Sequence, residues 1–105
     1  MNLTNEFQPI RDWAEKRGLF DKGDIKTQTL KLLEEAGELA KALIESNSPE
    51  QDMDIHDAIG DMVVVLTSIA YFSGKPIEAC INDAYKVIAN RSGKMVGETW
   101  VRDKE

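Results

Sequence analysis

SPEQDMDIHDAIGDMVVVLTSIAYFS, residues 48–73, sets the class of the whole chain according to whether it is one helix or harbours a strand. Its centre, Met62-Val63-Val64-Val65-Leu66, is rich in β-branched side chains, and propensity alone makes it a strand. Its ends argue for a helix. Ser48 stands at an N-cap, Pro49 at the first helical position and Gln51 at the capping-box position. Ile55, Ile59, Met62, Leu66, Ile69 and Ser73 recur at helical spacing, and Ser73-Gly74 supplies a stop. The pattern predicts a helix over about 49–73 and, with it, an all-α chain.

The neighbouring segments agree. Asp24 is an N-cap for a helix over about 25–45, whose Leu32, Ala36, Leu39, Ala40 and Leu43 form one stripe. Before it, Phe7, Ile10, Trp13 and Ala14 predict a helix over about 6–17, with Pro9 in its first turn and Gly18 closing it in a left-handed conformation. A turn around Asp21-Lys22-Gly23 separates the two. Pro76 opens a fourth helix to about residue 91 along Ile77, Cys80, Ile81, Ala84 and Ile88, with Cys80 as a small core residue. The tail, 94–105, alternates weakly around Gly97 and reads as a small hairpin or an extended arm. With 105 residues and no repeat, the expected architecture is one bundle-like domain of four helices over 1–105.

Composition narrows the function. A 42% hydrophobic and 30% charged chain is an ordinary globular one. The net charge of −6 argues against a general affinity for nucleic-acid backbone, which needs clustered Lys and Arg, and it implies that a phosphorylated ligand arrives with metal. The single cysteine, the absence of a signal-peptide pattern at the N-terminus and an apolar run of only Met62 to Phe72 point to a cytoplasmic protein with no membrane span. After Asp61 the third helix is apolar almost all round. Such a helix is buried on more than one face, which in so short a chain implies a second subunit.

Two acidic clusters carry the chemistry. Glu35 and Glu38 lie at i, i+3 on the second helix, and Asp57 and Asp61 at i, i+4 on the third, so each pair shares a face. Packed antiparallel, the helices are expected to bring four carboxylates into one space. Their mutual repulsion calls for a divalent cation, and an oxygen-only donor set favours Mg²⁺ or Mn²⁺. Read as isolated motifs, the same acids are a solvated face or a helix entrance favourable to the dipole.

Leu32-Leu33-Glu34-Glu35-Ala36-Gly37-Glu38-Leu39-Ala40, Ile59-Gly60-Asp61-Met62-Val63-Val64-Val65-Leu66 and Asn90-Arg91-Ser92-Gly93-Lys94-Met95 together resemble the MazG-like nucleoside triphosphate pyrophosphohydrolases of the all-α NTP pyrophosphatase group, above all the short single-domain members of phages and bacteria. The resemblance implies a helical bundle that assembles as a dimer or tetramer. It also implies Mg²⁺ held by an ExxE and an ExxD pair, and cleavage between the α- and β-phosphates to give the monophosphate and pyrophosphate. Glu35 and Glu38 match the first pair and Asp61 the last ligand. The glutamate of the second pair falls on Ala58, with Asp57 as the neighbouring acid that can serve directly or through water.

In that enzyme the metal held by Glu35, Glu38, Asp57 and Asp61 bridges the triphosphate and positions the attacking water. Glu34 orients the water or acts as base, or else it is an exposed partner of Lys31 or Lys41. Lys86, Asn90, Arg91 and Lys94 are candidates for holding phosphates, and Gln28 and Lys31, on the side of Glu35, for touching substrate. Trp13, Tyr71, Tyr85 and Trp100 are more simply core or interface than base-stacking groups. His56 lacks a nucleophilic partner and reads as surface. Two other classes compete. One is a catalytically weak helical oligomerisation or nucleotide-binding regulatory module. The other is a redox-metal bundle, which needs Glu-x-x-His spacings that His56 does not supply.

Overall fold

The computed structural model describes residues 6–104. The order is α1 (Gln8–Lys16), α2 (Leu19–Lys22), α3 (Ile25–Glu45), a 3₁₀ turn (Pro49–Gln51), α4 (Met53–Ser73), α5 (Ile77–Ala89), β1 (Gly93–Val96) and β2 (Thr99–Arg102). The chain is thus mainly helical, with a short antiparallel hairpin as its tail.

α3 begins and ends where its sequence signals lie. The Asp24 carboxylate accepts the Thr27 N–H at 2.8 Å, and this bond, with a second from the Thr27 hydroxyl, holds Asp24 below the ordinary carboxylate range. Gly18 (φ 76) follows α1 and Gly74 (φ 85) follows α4, both in the left-handed region that stops a helix. Gly97 (φ 60) opens the two-residue turn of the hairpin, where Met95 pairs with Trp100 and Gly93 with Arg102.

Several expectations are corrected. The long helix starts at Met53, not at residue 49. Ser48 makes no side-chain cap, whereas the Asp52 carboxylate accepts the Asp54 N–H at 2.9 Å, so the two capping signals compete and the later one starts the α-helix. α1 and α5 are each a residue or two shorter at their ends than 6–17 and 76–91. The presumed turn before α3 holds the four-residue helix α2, whose Phe20 stacks on Tyr71 of α4 with ring centroids 3.7 Å apart. The β-branched run of α4 is helical because packing on several sides outweighs its propensity.

α3 and α4, joined by residues 46–52, pack as an antiparallel pair, and α1 and α5 lean on α4. The less exposed positions of α3 include Gln28, Leu32, Glu35, Leu39 and Ala42, with Ala36 beside them, and those of α4 include Ile55, Ala58, Met62, Val65 and Ile69. Both series step by alternating threes and fours, the spacing of two helices meeting along a seam. The expected stripe on α4 is therefore displaced. Ile59 and Leu66 lie outside it at 48% and 39% exposure, and Ala58 and Val65 take the inner places. Ala40 and Leu43 of α3 are likewise exposed, as are Cys80, Ala84 and Ile88 of α5, so Cys80 is not a core residue.

Phe7, Ala70 and Ile77 bury together with Ile10, Val63 and Ile81 around them, which fastens α1 and α5 to α4. A bidentate ion pair between Arg11 and Glu78, at 2.6 and 2.7 Å, adds a clamp from α1 to α5 and pushes Glu78 below the ordinary carboxylate value. Thr67 and Ser68, both buried, donate to the carbonyls of Val63 (2.7 Å) and Val64 (3.5 Å). By length and hydropathy α4 would also suffice to cross a membrane.

The molecule is extended for its size. Its radius of gyration is 16.4 Å, against about 13 Å for a compact domain of this length. Its accessible surface is 8066 Å², against roughly 5,900 Å² for a folded monomer of 11.8 kDa.

Candidate functional site

Glu35 occupies the inner seam of α3 between Leu32 and Leu39, and at 7% exposure it is the one buried ionisable residue among those described. A carboxylate in a helix–helix seam loses hydration that an apolar side chain would not miss. Its compensation is Lys31, one turn earlier, whose Nζ lies 3.2 Å from Oε1. The bond to Glu35, with the nearby charge of Glu34, raises the Lys31 ammonium above its ordinary pKa. Glu34 itself is 3.9 Å from Lys31 and largely solvated.

The other three acids lie apart. Glu38 faces a shallow recess of about 230 Å³ shared with Lys41, Ala42, Glu45, Asp52 and Asp54 at the connected end of the α3–α4 pair. Asp61 borders a different hollow, about 430 Å³, walled by Pro9, Ile10 and Trp13 of α1 and by Val64. Asp57 is exposed on α4, and its neighbour Ala58 is buried at 8%. Among the described residues no three His, Cys, Asp or Glu side chains converge closely enough to hold a metal ion. The expectation of four carboxylates sharing one space is therefore not met within a single chain. Only the chemistry of the donors, oxygen throughout, fits a hard divalent cation.

The candidate substrate-binding residues also separate into two places. Gln28 is half-buried in the inner seam and Lys31 is engaged by Glu35. Lys86, Asn90, Arg91 and Lys94 lie at the far end of α5 and on the hairpin. Asn90 donates to the Lys86 carbonyl at 2.9 Å, and Arg91 lines an open hollow of about 600 Å³ with Tyr85, Ile88, Ala89 and Trp100. Of the aromatics, Tyr71 is taken up by Phe20 and Phe72, and Trp13 lies under the Arg17 guanidinium, 4.6 Å from its ring centre. His56 is exposed. Sequence reasoning passed over the placing of Trp13 beside Asp61, because the two sit on helices separated by α2 and α3 and no spacing rule links them.

Comparison with known proteins gives little to add to this geometry. A protein of Haemophilus phage HP1, described as an uncharacterized 18.2 kDa protein in the rep-hol intergenic region, is 39% identical over 69 residues, which is 66% of this chain and 40% of that protein. The chain thus matches less than half the length of this relative. No protein-family model and no solved structure matches the chain.

Proposed function

We propose that the protein is a Mg²⁺-dependent nucleoside triphosphate pyrophosphohydrolase that converts a (d)NTP to the (d)NMP and pyrophosphate, in keeping with nucleotide-pool house-cleaning. The observation that carries the reading is the burial of Glu35 in the seam between α3 and α4, beside the second acidic helix. A leucine there would serve folding at least as well, which supports a chemical role for the carboxylate. The resemblance of residues 32–40, 59–66 and 90–95 to MazG-like enzymes supplies the reaction, and the oxygen-only donor set supplies the metal class.

Glu35, Glu38, Asp57 and Asp61 would hold the cation. When bound, it neutralises phosphate charge and lowers the pKa of an attacking water. Water attacks the α-phosphorus, the bond from that phosphorus to the α,β-bridging oxygen breaks, and pyrophosphate leaves with the bonding pair. In the chain, Lys31 fixes the rotamer of Glu35. The wall of Trp13, Ile10 and Pro9 beside Asp61 suits a flat base whose phosphates are bound by the acids through metal. This reading makes the protein a cytoplasmic homo-oligomer, with α4 committed to α3 and not to a bilayer.

A second reading has its own support. The acids do not converge, and Ala58 fills a buried place where the resembling enzymes carry a glutamate. A helical oligomerisation or nucleotide-binding regulatory module accounts for both facts.

Pyrophosphate release from a panel of ordinary and damaged triphosphates with Mg²⁺ distinguishes the two. The enzyme reading expects turnover that Glu38→Gln or Asp61→Asn abolishes at unchanged helical content, and retained turnover in either variant removes the proposed site. With no turnover, a Mg²⁺-dependent rise in melting temperature with a non-hydrolysable triphosphate supports nucleotide binding alone. No rise favours the oligomerisation module.

A further inference from the structure

The outer side of α3 carries Leu30, Leu33, Gly37, Ala40 and Ile44, again in steps of three and four. At 100° per residue this series lies opposite the inner seam that meets α4. It is open. Leu30, Leu33 and Ile44 are 67%, 65% and 84% exposed, and a Cβ placed on Gly37 would meet no atom within 4 Å. Three large aliphatic side chains so exposed along one heptad-spaced line make an apolar stripe of the kind that meets a second helix.

We propose that this line is the contact between two copies of the chain, with the two α3 helices antiparallel and a twofold axis passing beside Gly37. The residues are self-complementary in that register. Leu30 lies opposite the partner's Ile44, Leu33 opposite the partner's Ala40, and the two Gly37 positions meet where the backbones come closest. Large side chains thereby fill space at both ends and small ones permit the approach at the centre. A parallel pair would also set Gly37 against Gly37, but it would match Leu33 with Leu33 on one side of that point and Ala40 with Ala40 on the other, so the two sides would be unequally filled.

Charge fixes the same choice. Glu34 and Lys41 lie on the same flank of the line, one heptad apart. An antiparallel pair sets that flank against itself, so Glu34 faces the partner's Lys41 twice by symmetry, while a parallel pair gives neither contact. This surface is independent of the pyrophosphohydrolase reading and holds whether or not the protein is an enzyme.

Disulfide trapping in the full chain, with Cys80 replaced by Ser, tests the register. Gly37→Cys should give a covalent dimer under mild oxidation. Ile44→Cys alone should not, and a mixture of Leu30→Cys with Ile44→Cys chains should. Sedimentation at micromolar concentration should show an oligomer. Glu34→Lys or Lys41→Glu should each weaken it about fivefold, and the two combined should restore it. A monomeric wild-type chain, self-linking of Ile44→Cys, failure of Gly37→Cys to link, or charge reversals without effect would each overturn the proposal. Assembly through another face would show up as the last two of these, and a different protein as the partner would show up as the first.

Discussion

The two long sides of α3 share a periodicity and differ in what they depart from. The inner side, closed by α4, contains Glu35, and the outer side, open, contains Leu30, Leu33 and Ile44. Hydrophobicity accounts for Leu32 and Leu39 on the inner side, but not for Glu35 between them or for three bare aliphatic side chains outside. Where a fold buries its charge and exposes its aliphatic residues along one helix, both departures point beyond the single chain's stability. The inner one is the ground for the proposed chemistry and the outer one for the proposed association.

The largest test of this contrast is Ala58→Glu. It adds a second carboxylate to the closed interface, and in the absence of divalent cations it should lower unfolding free energy by about 3 kcal/mol in urea. If Mg²⁺ returns most of that loss, the inner seam is a cation site. An unchanged urea midpoint would show that position 58 is not packed as described. Glu35→Leu acts in the opposite sense and is expected to stabilise the fold by about 1–2 kcal/mol while abolishing Mg²⁺-dependent pyrophosphate release. Destabilisation would make Glu35 a structural residue.

The clamp that holds α1 and α5 against the inner pair contributes less. Glu78→Gln should cost about 1 kcal/mol near neutral pH, since the pair is partly exposed. The folded-state pKa of Glu78 is depressed, so its contribution is complete above the ordinary carboxylate value and is lost as pH falls through the lowered one. Wild type and variant should therefore converge in acid. A difference that persists there would place the effect in packing. The smallest change belongs to the outer side, where Leu30→Ser, measured at dilutions at which the chain is monomeric, should alter stability by no more than about 0.5 kcal/mol. At higher concentration the same variant should lose whatever stability association adds.

Much of the fold was legible because it rests on local signals. Asp24, Gly18 and Gly74 mark helix ends through hydrogen bonds and backbone conformations that each residue makes for itself. The start of α4 was misplaced because Ser48 and Asp52 both carry capping chemistry and only the folded turn chooses between them. The face of α4 was misread for a different reason. Ile59 and Leu66 are as apolar as Val65 and more so than Ala58, so hydrophobicity gives little preferred orientation to a helix that is apolar almost all round after Asp61. The acidic pairs were visible from spacing, but the depth of Glu35 and the nearness of Trp13 to Asp61 depend on how helices dock, and no spacing records that.

The stack of Phe20 on Tyr71 has a kinetic consequence. A four-residue helix cannot sustain itself in water, so α2 persists through this aromatic clasp, with Phe72 set edge-on against it. Residues 8–22 are then held to the molecule by the clasp, the Phe7–Ile10 contacts and the Arg11–Glu78 pair. Such an arm forms an opening unit of its own, and its amides should exchange with solvent deuterium ahead of those in the middle of α3 and α4.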